Sequence, residues 1–159
     1  MICERILGNL NDATFPRADS QTIDLLSLTW QDLLRRFLRT TTSGGRDVGL
    51  LLPAGHRLQD RDVIYAEPRL LIVVDLLPTD VLVMHPKDAR ELATTAYLLG
   101  DLHCPVQVAD GKLIVPAEDA LAALLSRLRI ESTPARMRFS PIDRAPLAQW
   151  QVAIPKPIS

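Results

Sequence analysis

Between Val81 and Phe139 the apolar residues change spacing repeatedly, and that alternation limits the fold more than any other feature of the chain. Val81-Leu82-Val83-Met84 is an apolar run of strand length. Pro86-Lys87-Asp88 opens a helix: proline suits the first turn, and Asp88 and Glu91 stand near the positive end of the helix dipole. Ala89, Leu92, Ala93, Ala96 and Leu99 fall on one helical face, and the run is expected to end at Gly100. Val106-Gln107-Val108 reads as a strand, Asp110-Gly111 as a two-residue hairpin turn, and Leu113-Ile114-Val115 as the return strand. A second helix is expected from Pro116 to Leu128, with Glu118 and Asp119 in its first turn and Leu121, Leu124, Leu125 and Leu128 on one face. Met137 and Phe139 alternate with Arg136 and Arg138 as a last, half-buried strand. The order β-α-β-β-α-β is the ferredoxin-like split unit.

The residues before this unit have a different rhythm. Thr22 to Leu28 is rich in apolar residues. Gln31 to Arg39 fits two structures: Leu33, Leu34, Phe37 and Leu38 have helical spacing, yet the run enters Thr40-Thr41-Thr42, which favours extended chain. Ser43-Gly44-Gly45-Arg46 is a turn between strands, and Val48 to Leu52 follows it. Asp60-Arg61-Asp62 is a polar turn leading into Val63-Ile64-Tyr65-Ala66, and Leu70 to Val74 reads as a buried strand. The fold class is therefore α+β: a small all-β domain over residues 1–76, then a ferredoxin-like domain over 77–143 that begins at Leu76-Leu77-Pro78-Thr79. An irregular, proline-containing tail, 144–159, carries Trp150, which suits either a surface groove or a loosely packed tail.

Composition excludes several classes of function. The 159 residues carry 18 basic and 19 acidic side chains, so no overall positive field attracts nucleic acid. Aromatic residues make up 4%, too few for base stacking to be a main activity. The longest apolar runs are too short for a membrane span, and Met1-Ile2-Cys3-Glu4-Arg5 lacks a signal-peptide pattern. Cys3 and Cys104 do not make a disulfide framework, which points to a reducing, cytoplasmic setting. Ser43, Ser126 and Ser140 lack the surroundings of a nucleophile, and no phosphate-binding glycine loop is present. Arg35, Arg36 and Arg39 form a local basic group, read either as a solvated strand face or as a docking patch for an acidic partner.

The chemistry concentrates at the corner Gly100-Asp101-Leu102-His103-Cys104-Pro105, between helix and strand. His103 is the candidate metal ligand, with a satisfied structural histidine as the equal alternative. Cys104 is a weaker candidate, because neighbours in extended chain point to opposite faces, and a small buried hydrophobe explains it as well. His85, just before Pro86, is a secondary candidate, and His56 lies in the turn Pro53-Ala54-Gly55-His56-Arg57 as a solvent-exposed residue. A metal ion takes roughly four to six ligands, so His103 alone is not a site. In a two-fold homodimer the same imidazole appears twice, giving a shared, open site suited to transient carriage.

The segment Ala96-Tyr97-Leu98-Leu99-Gly100-Asp101-Leu102-His103-Cys104-Pro105-Val106-Gln107-Val108 resembles the signature of the UreE urease accessory family, AYHLGNRHxPxQ. Gly49-Leu50-Leu51-Leu52-Pro53-Ala54-Gly55, with Leu58-Gln59-Asp60-Arg61-Asp62-Val63, is similar to that family's GLLLPRG..LRDGDV segment, and Leu28-Thr29-Trp30 and Phe139-Ser140-Pro141 match in kind. The resemblance runs from about residue 22 to about residue 141. It implies an N-terminal partner-binding β domain and a C-terminal domain that dimerises and binds nickel. It further implies delivery of Ni²⁺ to the apo-urease complex, together with a GTP-hydrolysing accessory protein. The family's interface ligand falls on His103; Leu98 stands where the family has a second histidine, Asp101-Leu102 where it has Asn-Arg, and Arg61 where it has glycine. The later histidine pair and histidine-rich tail of some members are missing, so the implied capacity is about one shared ion per dimer, Ni²⁺ or else Zn²⁺ or Cu²⁺. The leading expectation is thus a nickel metallochaperone and not an enzyme. The alternative is a protein-interaction and assembly factor whose metal site is reduced or lost. A small metalloenzyme using His103 and Cys104 is weaker still, since no general base stands near them in sequence.

Overall fold

The computed structural model describes residues 1–142 apart from 17 and 19. Trp150 and the tail 144–159 lie outside the described residues. The chain forms two compact units: Met1–Thr79 with Arg136–Ser140, and Asp80–Ala135 with the residues from Pro141 onward.

The first unit begins with β1 (Ile2–Cys3), β2 (Gly8–Asn9) and β3 (Thr22–Leu28). A single-turn helix, α1 (Trp30–Leu33), follows, then β4 (Phe37–Thr41), β5 (Asp47–Leu51), β6 (Asp62–Glu67) and β7 (Leu70–Leu76). These strands make two sheets, β1-β5-β4 and β2-β6-β7-β3. The ambiguous stretch after Trp30 is therefore both helix and strand. Thr29 and Asp32 form a capping box that nucleates the turn, and the threonine-rich continuation extends. Strand β7 is buried on both faces, with Leu71, Ile72, Val73 and Val74 fully enclosed, and it pairs in parallel with β3 from Thr22↔Leu70 to Leu28↔Leu76. Phe139 is fully buried and packs edge-on against Trp30, ring centroids 5.3 Å apart, which places Arg136–Ser140 with this unit.

The β4–β5 hairpin turns through both predicted glycines, for different reasons. Gly45 has φ 79°, a left-handed conformation. Gly44 gives up its side chain to space: a Cβ there would lie 2.6 Å from the Arg46 guanidinium and 2.7 Å from the Asp24 carboxylate. Asp24, buried in β3, accepts hydrogen bonds from Thr42 Oγ1 (2.7 Å), Ser43 Oγ (3.0 Å), the Gly44 amide (2.8 Å) and the Arg46 guanidinium. Burial pushes this carboxyl up, but the four donors outweigh it and hold it at about 2.

The second unit is built on β8 (Pro78–Met84), α2 (Ala89–Asp101), β9 (Gln107–Ala109), β10 (Lys112–Pro116), α3 (Asp119–Arg127) and β11 (Ser132–Arg138); the first two residues of β8 and the last three of β11 group with the first unit. Its four-stranded sheet has the order β11-β8-β10-β9, the spatial order of a ferredoxin-like unit, so the α+β architecture read from sequence is present. Asp110 and Gly111 both have positive φ, 50° and 71°, as the β9–β10 hairpin requires. The core joins Leu82, Met84, Leu99, Leu113, Val115, Leu121 and Leu125.

Several boundaries differ from the sequence expectation. Pro116 ends β10, paired with Val81, and α3 starts only at Asp119. Leu121 and Leu125 are buried in α3, whereas Leu128 is 48% exposed because it lies at the helix end. In α2 the buried stripe runs through Leu92, Thr95, Ala96 and Leu99, with Ala89 and Ala93 exposed. The two leucines set that stripe, since alanines carry too little apolar area to orient a helix. The last strand begins at Ser132, and Phe139 lies just beyond it.

Candidate metal centre

Gly100 does not end α2. The helix continues to Asp101, with Leu102 as its cap. The chain then reverses at His103, whose φ is 55°. The His103 amide donates to the Gly100 carbonyl (3.0 Å) and the Cys104 amide to the Leu99 carbonyl (2.9 Å). That pair of bonds is a Schellman motif, and His103 occupies the left-handed position that glycine usually fills. A β-carbon in this conformation costs about 1 kcal/mol or more.

This geometry separates the two candidate ligands. His103 is exposed on the outside of the turn. Cys104 turns inward, packs against the core and directs its Sγ to the Pro105 carbonyl at 3.6 Å. Burying Cys104 beside Leu99 supplies the apolar contact that accompanies this type of cap. His85 is exposed just beyond β8, beside a small recess lined by Glu91, Thr95 and Glu131, and His56 is exposed in its turn. Among the described residues, no three His, Cys, Asp or Glu side chains gather where they could hold a metal ion. His85, His103 and Cys104 thus do not form one site within a single chain.

Beside the corner, one side of α2 faces an open groove of about 620 Å³ lined in part by Tyr97, Leu98, Asp101, Leu128 and Arg129. Tyr97 is 78% exposed and Leu102 45%. Nothing in the sequence singles out Tyr97, and Leu128, expected on the buried face of the second helix, is exposed here instead. Arg129, with φ 57°, ends α3 as His103 ends α2: its amide donates to Ser126 (3.0 Å), and the Ile130 amide donates to Leu125 (2.9 Å).

The corner thus presents an exposed imidazole at a helix end, with Leu102 exposed next to it in the chain. The model of the UreE urease accessory protein N-terminal domain matches residues 3–77, and that of the C-terminal domain matches residues 79–151. The chain belongs to the UreE urease accessory protein family, a family of accessory chaperones and not of enzymes. It is 34% identical to the urease accessory protein UreE of Haemophilus influenzae (strain PittEE) over 150 residues, 93% of this chain and 81% of that one. It is 32% identical to that of Geobacillus kaustophilus over 130 residues, 82% and 86% of the two chains. The corresponding protein of Corynebacterium urealyticum is 38% identical over 108 residues, 67% and 68%. No helix among the described residues is long and apolar enough to cross a membrane.

Proposed function

We propose that this chain is a cytoplasmic nickel metallochaperone that delivers Ni²⁺ to apo-urease as a homodimer, holding one ion between the His103 side chains of two protomers. The observation that carries this reading is the placement of His103: an exposed imidazole fixed at a left-handed helix end, beside exposed Tyr97 and Leu102. A rigid corner limits where the imidazole can reach, and an apolar surround favours burial against a second copy. One imidazole per chain leaves most coordination positions to the partner copy, to water or to the recipient, which suits a site that must release its cargo. The partners are the apo-urease complex and the GTP-hydrolysing accessory protein of the same pathway. Zn²⁺ and Cu²⁺ compete for the same imidazole pair.

Calorimetric titration with NiCl₂ tests the reading. The wild type is expected to bind one ion per two chains, with affinity falling in acid because the ligand must be neutral, and His103→Ala is expected to lose that binding. Undiminished binding by His103→Ala overturns it. The second reading, an assembly factor with a reduced metal site, is favoured by the lack of any three-ligand group within the described chain. Equal activation of apo-urease by wild type and His103→Ala decides for that reading.

A further inference from the structure

Among the described residues, strand β4 is bonded on one side only, to β5, and forms an edge of the three-stranded sheet. The bonds that frame this ladder run from the Thr42 amide to Arg46 and from the Leu52 amide to Arg36. In an antiparallel pair, alternate residues face the neighbour, so the amides and carbonyls of Phe37, Arg39 and Thr41 point away from β5. The same register puts Phe37 beside Leu51, and Arg39 and Ile2 on either side of Gly49, all on the outer face. That face is apolar and open: Ile2 is 74% exposed, Phe37 62% and Leu51 41%.

Arg35 to Thr41 carries three guanidiniums and no carboxylate, within a chain of formal net charge −1. Arg36 lies over the Phe37 ring at 5.3 Å. Arg35 meets Asp32 at 3.7 Å and Arg39 meets Asp47 at 3.6 Å, long contacts on well-exposed arginines that cost little to exchange. Native proteins usually blunt an open, apolar strand edge, and this one carries only a single charge, Arg39, at its centre. Pairing with a second copy about that centre would set two Arg39 side chains opposite each other, which is unfavourable.

We infer that the free edge of β4 is a docking site for an extended segment of a partner protein, rich in acidic and apolar residues, which adds a strand to the sheet. The partner's main chain bonds Phe37, Arg39 and Thr41, its apolar side chains cover Phe37 and Leu51, and its carboxylates meet Arg35 and Arg39. This site is independent of His103 and of nickel.

The test uses fluorescence anisotropy on the full chain, with short labelled peptides alternating valine with glutamate or with lysine. The glutamate peptide is expected to bind at least about ten-fold more tightly than the lysine peptide, and its binding to weaken at high salt. A glutamate peptide N-methylated at alternate residues is expected to lose binding, because it lacks the amides a new strand needs. Arg39→Glu is expected to weaken the glutamate peptide at least about ten-fold with the melting temperature unchanged. No binding by the glutamate peptide, equal binding of the lysine peptide, or full binding of the N-methylated peptide overturns the inference. Self-association that Arg39→Glu strengthens also overturns it, and assigns the edge to a second copy.

Discussion

His103 holds a conformation that its own side chain disfavours, and a left-handed helix end would be easier with glycine. His103→Gly is therefore expected to raise the stability of the second unit by about 1 kcal/mol while removing nickel binding, read by thermal melting and calorimetric titration of the same sample. A stabilised variant that still binds nickel would separate the strained corner from metal carriage. Arg61 makes a similar point without a metal: its φ is 70°, and the resemblance places glycine at this position. Arg61→Gly should gain up to about 1 kcal/mol in denaturant unfolding with no change in nickel binding. Asp24 sets an acid limit. Folding lowers its carboxyl from 3.8 to about 2, so its contribution is full above the unfolded value and is lost as pH falls through the folded one. Asp24→Asn should cost on the order of 2 kcal/mol in urea unfolding at pH 7, and the gap to wild type should close as pH falls toward 2.

Helix α2 joins the sheet to the His103 corner. Leu99, fully buried, is both a core residue and the acceptor in the bond that closes the turn after His103. Leu99→Ala is expected to cost about 2–5 kcal/mol and to loosen the corner, lowering nickel affinity as well as the melting temperature. How legible this element was follows from the strength of its local signals. Its start was read a few residues early: Pro86 and Lys87 lie outside the helix, and Asp88 is the cap, accepting from the Glu91 amide, not a first-turn residue. Its end was misread, because Gly100 is a helical residue in open space and the reversal falls on a histidine. The β9–β10 hairpin was legible from Asp110-Gly111, where sequence and φ agree. Gln31 to Arg39 was not, since a single helical turn followed by a strand has no periodicity long enough to read. Among the site residues, the opposite orientations of His103 and Cys104 follow from adjacency. The left-handed φ that fixes His103 leaves no mark in residue type.

For the whole molecule, the proposed function ties metal to association. An ion held by two chains stabilises their pairing by mass action, so sedimentation should show the dimer tightening as NiCl₂ is added, and His103→Ala should abolish that response. One feature of the first unit bears on how such a molecule is made. Phe139 fills the space against Trp30, and Arg138 reaches Asp60 at 3.4 Å and Asp75 at 3.0 Å, yet both residues come after Asp80–Ala135 of the second unit in the chain. Synthesis runs from the N-terminus, so the ribosome must pass through Asp80–Ala135 before the first unit receives the Phe139 side chain. Until then Trp30 lacks the Phe139 ring, and Asp60 and Asp75 lack the Arg138 guanidinium. The half that emerges first thus waits on residues made after most of the other half.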